Sequence, residues 1–249
     1  LAEELAQAID GEEAFECEPS PCLGLCERAP AAFLQRAGGK DSVIAPASAA
    51  TVMASLYDEP LDQEYAPTYV SAPQTIEPRA SGLRLLRRVG LVDPTSLDDY
   101  RTNSGYTALS LALHHGSEWV LRELAESRLL GRGGAAFPTG RKWQDVAHSA
   151  VFPHYVVCNA DESEPGTFKD RVLMEEDPFA LIEALTVAGV VTGAERGYLY
   201  VRREYPVATM HLADAISQAT ASGLLGDDVM GSGKRFEIEI RRGAGAYIC

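Results

Sequence analysis

The sequence predicts an α/β fold built on a parallel sheet. Two observations carry that expectation. Over residues 154–242, short apolar runs that read as strands alternate with longer helical patterns, the order of βαβ units. The two longest helical patterns open with proline at the first helical position and close on glycine, as helix chemistry requires.

Taken in order, LAEELAQAIDGEE (1–13) reads as a short amphipathic helix, and ECEPSPCLGLCERAP (16–30) as a loop. PASAATVMASLY (46–57) reads as a helix. From Asp58 to Gly82 the chain carries four prolines and no periodicity, which predicts a linker between two domains, 1–57 and 83–249. GLRLLRRVGLVDP (82–94) and SLDDYRTNSGY (96–106) open the second block. Helical patterns follow at Thr107–His115 and Glu118–Ser127, with Ser117 as the expected N-cap of the second, and WVLRELAESRLL (119–130) reads as helical throughout.

HYVVCN (154–159) suits a buried strand, which would also bury Cys158. DPFALIEALTVAGVVTGA (177–194) predicts a helix with Asp177 as N-cap, Pro178 at the first position and Gly193 at the end; it is apolar nearly all round and so belongs in the core. GYLYVRRE (197–204) reads as a strand, residues 206–223 as a helix from Pro206 to Gly223, and FEIEIRR (236–242), alternating at period two, as a strand. No internal repeat is visible.

Composition narrows the function. The chain of 249 residues has a formal net charge of −14 and no block of Lys and Arg, which argues against nucleic acid as a partner. Its most apolar run, Phe179–Val191, is interrupted by Glu183 and is too short to cross a bilayer, so no direct membrane insertion is expected. Five cysteines are too few for a disulfide scaffold and point to a reducing cytoplasm, with some of them available to a metal. A chain that starts at Leu1 and stops in the run GAGAYIC reads as a fragment cut at both ends.

Three stretches could carry chemistry. In GRGGAAFPTGRKW (131–143), Gly131-x-Gly133-x-x-Ala136 matches the letters of the dinucleotide fingerprint. That fingerprint needs a strand before it and a helix already under way after it, whereas a helical pattern precedes Gly131 and Pro138 follows. The ordinary Rossmann reading therefore fails on context, and no P-loop pattern is present. A ligand-holding loop and a tight structural turn both remain; Arg132, Arg141 and Lys142 beside exposed backbone amides favour an anionic ligand. The second stretch is CNADESEPGTFKDR (158–171), at the end of a strand where α/β folds place ligands. Asn159 can donate and accept, and Asp161, Glu162 and Glu164 can accept from hydroxyls or amides; the alternative is a solvated acidic loop. The third is Cys22-x-x-x-Cys26, whose two thiolates, four residues apart around a Leu-Gly turn, can face one iron or else be inert. The five histidines show no metal spacing, and packing or surface roles are expected for them.

Together, GRGGAAFPTGRKW, YVVCNADESEPGTFKDR, RGYLYVRREYP and GAGAYIC closely resemble the FMN-binding flavoprotein subunit of respiratory complex I and the diaphorase subunits of NAD-linked hydrogenases and formate dehydrogenases, over residues 83–249. The resemblance implies a Rossmann-like FMN/NADH-binding domain in which hydride passes from NADH to FMN and electrons leave singly to iron–sulfur clusters. It places Gly131, Arg132, Gly133, Gly134, Gly140 and Lys142 on the glycine-loop side of that site, and Asn159, Asp161 and Glu162 on the polar edge of the flavin. It gives Phe137 an aromatic face for adenine, Glu164 the nucleotide, which makes it the residue expected to matter most for activity, and Tyr247 a place over the flavin. CLGLCERAP within 1–57 resembles the second cysteine pair of the thioredoxin-like [2Fe–2S] ferredoxin partner of that subunit, which implies Cys22 and Cys26 as metal ligands. Cys17 is not expected to be one. The implied first cysteine pair lies upstream of Leu1, and the [4Fe–4S] cluster belongs beyond Cys249. The expected partners are NADH and other iron–sulfur subunits of a cytoplasmic assembly that sits peripherally at the inner membrane. Two other readings stay open: an ordinary Rossmann dehydrogenase, and a non-catalytic iron–sulfur electron-transfer or assembly module.

Overall fold

The computed structural model describes residues 1–10, 12, 14–20, 22–39, 41–57 and 84–244. The expected linker and Tyr247 lie outside the described residues. The first block holds helix α1 (Ala2–Ala8), strands β1 (Ala32–Leu34) and β2 (Ser42–Ile44), and α2 (Ala49–Leu56). The second block begins its regular structure with α3 (Leu97–Thr102), α4 (Thr107–His115), α5 (Ser117–Ser127) and α6 (Thr139–Ala147). It continues with strand β3 (Tyr155–Ala160), α7 (Lys169–Glu176), α8 (Pro178–Thr192), β4 (Arg196–Val201), α9 (Pro206–Ala221) and β5 (Glu237–Arg242).

The expected parallel sheet is present: β3 pairs with β4 and β4 with β5, all parallel, in the order β3-β4-β5. The register puts Val156, Cys158 and Ala160 beside Gly197, Leu199 and Val201 on one face. That face meets α8 and α9 through Phe179, Ile182, Leu199, Val201, Leu212 and Phe236, all at most 1% exposed. Two glycines set the spacing there. A Cβ on Gly189 of α8 would lie 2.2 Å from the Phe236 ring, and one on Gly197 of β4 would lie 2.8 Å from it. Only a bare backbone lets the ring in so close.

The opposite face differs from expectation. β3 is an edge strand rather than a buried one, with Tyr155 and Val157 pointing outward at 52% and 64% exposure. Cys158 lies on the inner face, where burial raises its thiol to about 11.

Glu183, the one charge within the apolar helix α8, is buried and fully employed. It accepts the Tyr100 hydroxyl at 2.6 Å and the Tyr106 and Leu109 amides at 2.8 and 3.0 Å. Those amides come from the N-cap and the third residue of α4, so the carboxylate caps a helix that has no side-chain cap of its own. Asp177 is the N-cap of α8 by position, but its carboxylate goes to Arg88 at 2.9 Å. Ser117 is the first residue of α5 rather than its cap; Gly116, at φ 82°, occupies the cap position because only glycine turns this way easily between two abutting helices. That helix stops at Ser127; Arg128 turns left-handed and Leu130 bridges to Pro138, so residues 128–130 are not helical as expected.

In the first block, β1 and β2 form an antiparallel hairpin, and α2 starts with a reciprocal capping box between Ser48 and Thr51. A small core of Leu5, Ala47 and Val52 holds these pieces together.

Candidate functional site

The glycine stretch is a closed, exposed loop. Gly131 donates its amide to the Phe137 carbonyl at 2.8 Å, and Thr139 donates to Leu129 at 2.9 Å. Helix α6 starts at Thr139, directly after Pro138 at its N-cap. Within the loop, Cβ atoms on Gly133 and Gly134 would meet nothing within 4 Å, and Gly134 has φ 104°. The backbone there lies open to a ligand that must approach closely. Arg132 is exposed, Phe137 is 42% exposed, and the Lys142 ammonium sits 5.8 Å from the centre of the Phe137 ring. Gly140 does something else. A Cβ there would stand 2.8 Å from the Ala125 amide nitrogen, so this glycine lets α6 press onto α5 and is buried between them.

The acidic stretch lies where the three strands end. Asn159, the last outward-facing residue of β3, accepts the Asp161 amide at 3.2 Å. Burial raises the Asp161 carboxyl above its ordinary value; nearby Glu204 and Glu164 push the same way, and Arg202 opposes. Glu164 is exposed, and its carbonyl closes a turn by accepting the Thr167 amide at 3.1 Å.

Glu162 is the inward-facing carboxylate of the stretch. At φ 47° its side chain turns back into the fold and is 0% exposed. The carboxylate accepts the Asp170 and Arg171 amides at 2.7 and 3.0 Å, capping α7, and takes the Tyr205 hydroxyl at 3.2 Å. Those donors, with the Lys169 ammonium at 3.5 Å, leave its oxygens engaged inside the protein.

The structure adds residues that sequence reasoning missed. Arg202 follows the end of β4 and is 2% exposed. It donates to the Glu162 carbonyl at 3.0 Å and to the Cys22 carbonyl at 2.9 Å. Arg171 donates to the Gly24 carbonyl at 3.0 Å and pairs with Glu175. Gly24 packs so tightly on the Tyr205 hydroxyl that an added Cβ would lie 2.3 Å from it. Asp41, beside β2, pairs with Arg203 at 3.0 Å and also with Arg242 at the end of β5. The one signal for these residues was RREYP (202–206), charges placed directly after a buried strand.

The Cys22 loop thus sits on the acidic stretch. Cys22 Sγ accepts amides from Gly24 at 3.3 Å and from Gly166 at 3.4 Å. Against the burial that raises it, those two amides, the Arg202 charge and a hydrogen bond with Cys26 hold the Cys22 thiol below its ordinary value. Amide donors and a cation around paired sulfurs suit bound thiolates. No group of three or more His, Cys, Asp and Glu able to hold a metal occurs among the described residues, and two cysteines are half of a four-thiolate set. The acidic stretch and the Cys22 loop are brought together. No hydrogen bond, ion pair or ring contact joins residues 131–137 to 159–164 among the described residues.

A family described as the Nuo51 FMN-binding domain matches residues 124–249. The chain belongs to this family. The match takes in both the open glycine loop and the acidic stretch. Among curated relatives, an NADH-quinone oxidoreductase subunit of Rhizobium meliloti (strain 1021) is 49% identical over 166 residues, 66% of this chain and 39% of that protein. The NADP-reducing hydrogenase subunit HndC of Solidesulfovibrio fructosivorans is 44% identical over 163 residues, 66% of this chain and 33% of that protein. The chain therefore spans little more than a third of the curated relatives it matches. Among solved structures, an NAD+-reducing [NiFe]-hydrogenase in the air-oxidised state superposes with TM-score 0.68 at 27% identity, covering 100% of this chain and 40% of that one. That superposition spans both blocks. No helix among the described residues is long and apolar enough to cross a membrane.

Proposed function

We propose that this chain is the FMN- and NADH-binding part of an NADH dehydrogenase (diaphorase) module whose electrons leave through iron–sulfur centres. The observation that carries this reading is the open backbone at Gly133 and Gly134, within a stretch matched by an FMN-binding family. Bound FMN supplies the exchange between two-electron nicotinamide chemistry and single-electron transfer, while the protein binds and orients. Gly131, Arg132, Gly133, Gly134 and Lys142 would hold the flavin's anionic side by amides and cations. Asn159 and Asp161 would face its polar edge from the strand ends, the usual ligand position of α/β sheets. Phe137 offers a half-exposed ring for stacking, and Glu164 an exposed carboxylate for the nucleotide. No general acid or base is needed, because hydride transfer moves no separate proton.

In the same reading, residues 1–57 are part of a ferredoxin-like domain, and Cys22 and Cys26 hold one half of a [2Fe–2S] cluster. The partners are iron–sulfur subunits of a quinone reductase, hydrogenase or formate dehydrogenase in the cytoplasm, peripheral at the membrane. The relatives named above, subunits of a quinone oxidoreductase and of a hydrogenase, support this. The test is the purified full-length protein: a flavin absorption spectrum, bleached on adding NADH, is expected. A colourless protein that still binds iron would instead support a non-catalytic iron–sulfur module.

A further inference from the structure

We propose that the flavin-binding block directly sets the reduction potential of the cluster held at Cys22, through the Gly166 amide. The inference rests on the reading of Cys22 and Cys26 as cluster ligands. Of the two amides aimed at Cys22 Sγ, Gly24 comes from the cysteine's own turn, two residues away. Gly166 comes from the acidic stretch, 144 residues away, at 3.4 Å. Hydrogen bonds to ligating sulfur stabilise the extra negative charge of a reduced cluster and so raise its potential. Here one of those bonds belongs to the block that receives electrons from the nicotinamide.

The contact is held in place rather than incidental. Arg202 fixes the Cys22 carbonyl at 2.9 Å and Arg171 fixes the Gly24 carbonyl at 3.0 Å, both from buried positions in the flavin block. Glu162, clamped by the cap of α7 and by Arg202, anchors the start of the turn that carries Gly166. The Glu164–Thr167 hydrogen bond closes that turn. Gly166 has φ 81° and nothing within 4 Å of an added Cβ, so what a side chain disturbs there is backbone conformation, not packing.

That distinction supplies the test. Gly166→Val disfavours the left-handed backbone and should move the amide off the sulfur, whereas Gly166→Asn tolerates that conformation and should keep it. Midpoint potentials are measured by EPR-monitored redox titration of the [2Fe–2S] signal in the full-length protein. The expected result is a three- to tenfold shift toward the oxidised cluster in Gly166→Val, up to about 59 mV for one electron. Gly166→Asn should stay near the unsubstituted value. Equal potentials in all three proteins, with the signal intact, would overturn the proposal. So would equal shifts in both variants, which would mark a general loosening of the loop. Absence of the signal from the unsubstituted protein would remove the ligand assignment itself and, with it, the inference.

Discussion

The Glu183 carboxylate accepts the Tyr100 hydroxyl at 2.6 Å inside the core, and the same group caps helix α4. Burial, reinforced by the negative charge and hydrogen bond of Glu183, pushes the Tyr100 hydroxyl far above its ordinary value, so it stays a donor at any physiological pH. Replacing Glu183 with leucine strands one hydroxyl and two amides. The expected cost is about 2–4 kcal/mol, read as a lower urea midpoint at unchanged slope. Glu183→Gln keeps an acceptor oxygen and should lose roughly half as much. If the two variants unfold alike, the carboxylate's acceptor role is not what matters.

Gly140 and Gly133 separate packing from binding. Gly140→Ala would set a methyl against the Ala125 backbone and should cost about 1–3 kcal/mol, with α5 and α6 forced apart. Gly133→Ala meets open space and should leave stability within about 0.5 kcal/mol. It should nonetheless lower the flavin-to-protein ratio that survives desalting. Full flavin retention in Gly133→Ala would remove the loop from the flavin site.

Glu164→Gln should weaken NADH binding about tenfold, the worth of one hydrogen bond to a charged group. The flavin spectrum should be unchanged. Unaltered NADH oxidation would mean that Glu164 does not position the nucleotide.

The Asp41 pairing predicts a pH dependence. The hydrogen bond from Arg203, with Arg242 beside it, holds the Asp41 carboxyl below the ordinary 3.8. A carboxyl lowered by folding adds stability that is complete above 3.8 and is lost as pH falls through the lower folded value. Hydrogen exchange over residues 32–44 should therefore accelerate as pH drops below about 4, relative to its intrinsic pH trend. Asp41→Asn should show the faster exchange at neutral pH and lack the acid step. Both arginines are partly exposed, so salt should weaken the contact.

The order of strands and helices in the second block was legible because long periodic segments carry their own boundary chemistry: Pro178 opens α8 and Gly193 closes it, at φ 72°. The β1–β2 hairpin was not legible, since three-residue strands are too short to show a period. Nor was the fate of Glu162. Four acidic or amide side chains crowd 159–164, and only the positive φ at Glu162 turns that one inward to cap α7. Glu183 could be noticed as a lone charge in an apolar helix, but its partners come from residues 74 to 83 positions away, beyond any local pattern. The outward face of β3 was hidden for a similar reason: an unbroken apolar run reads as buried whether or not anything covers its second side.

Arg202 and Arg171 grip the first block by the carbonyl oxygens of Cys22 and Gly24, not by side chains. Every amino acid carries that oxygen. Recognition of this kind is blind to spelling: the side chains of Leu23 and Leu25 take no part in either bond, and what holds Leu25 is its own burial, at 6% exposure. The demand falls instead on backbone form, and it is strictest at Gly24, which has φ 66° and no room for a Cβ. That freedom ends at Asp41, which meets Arg203 and Arg242 of the second block by its carboxylate and so depends on side-chain identity.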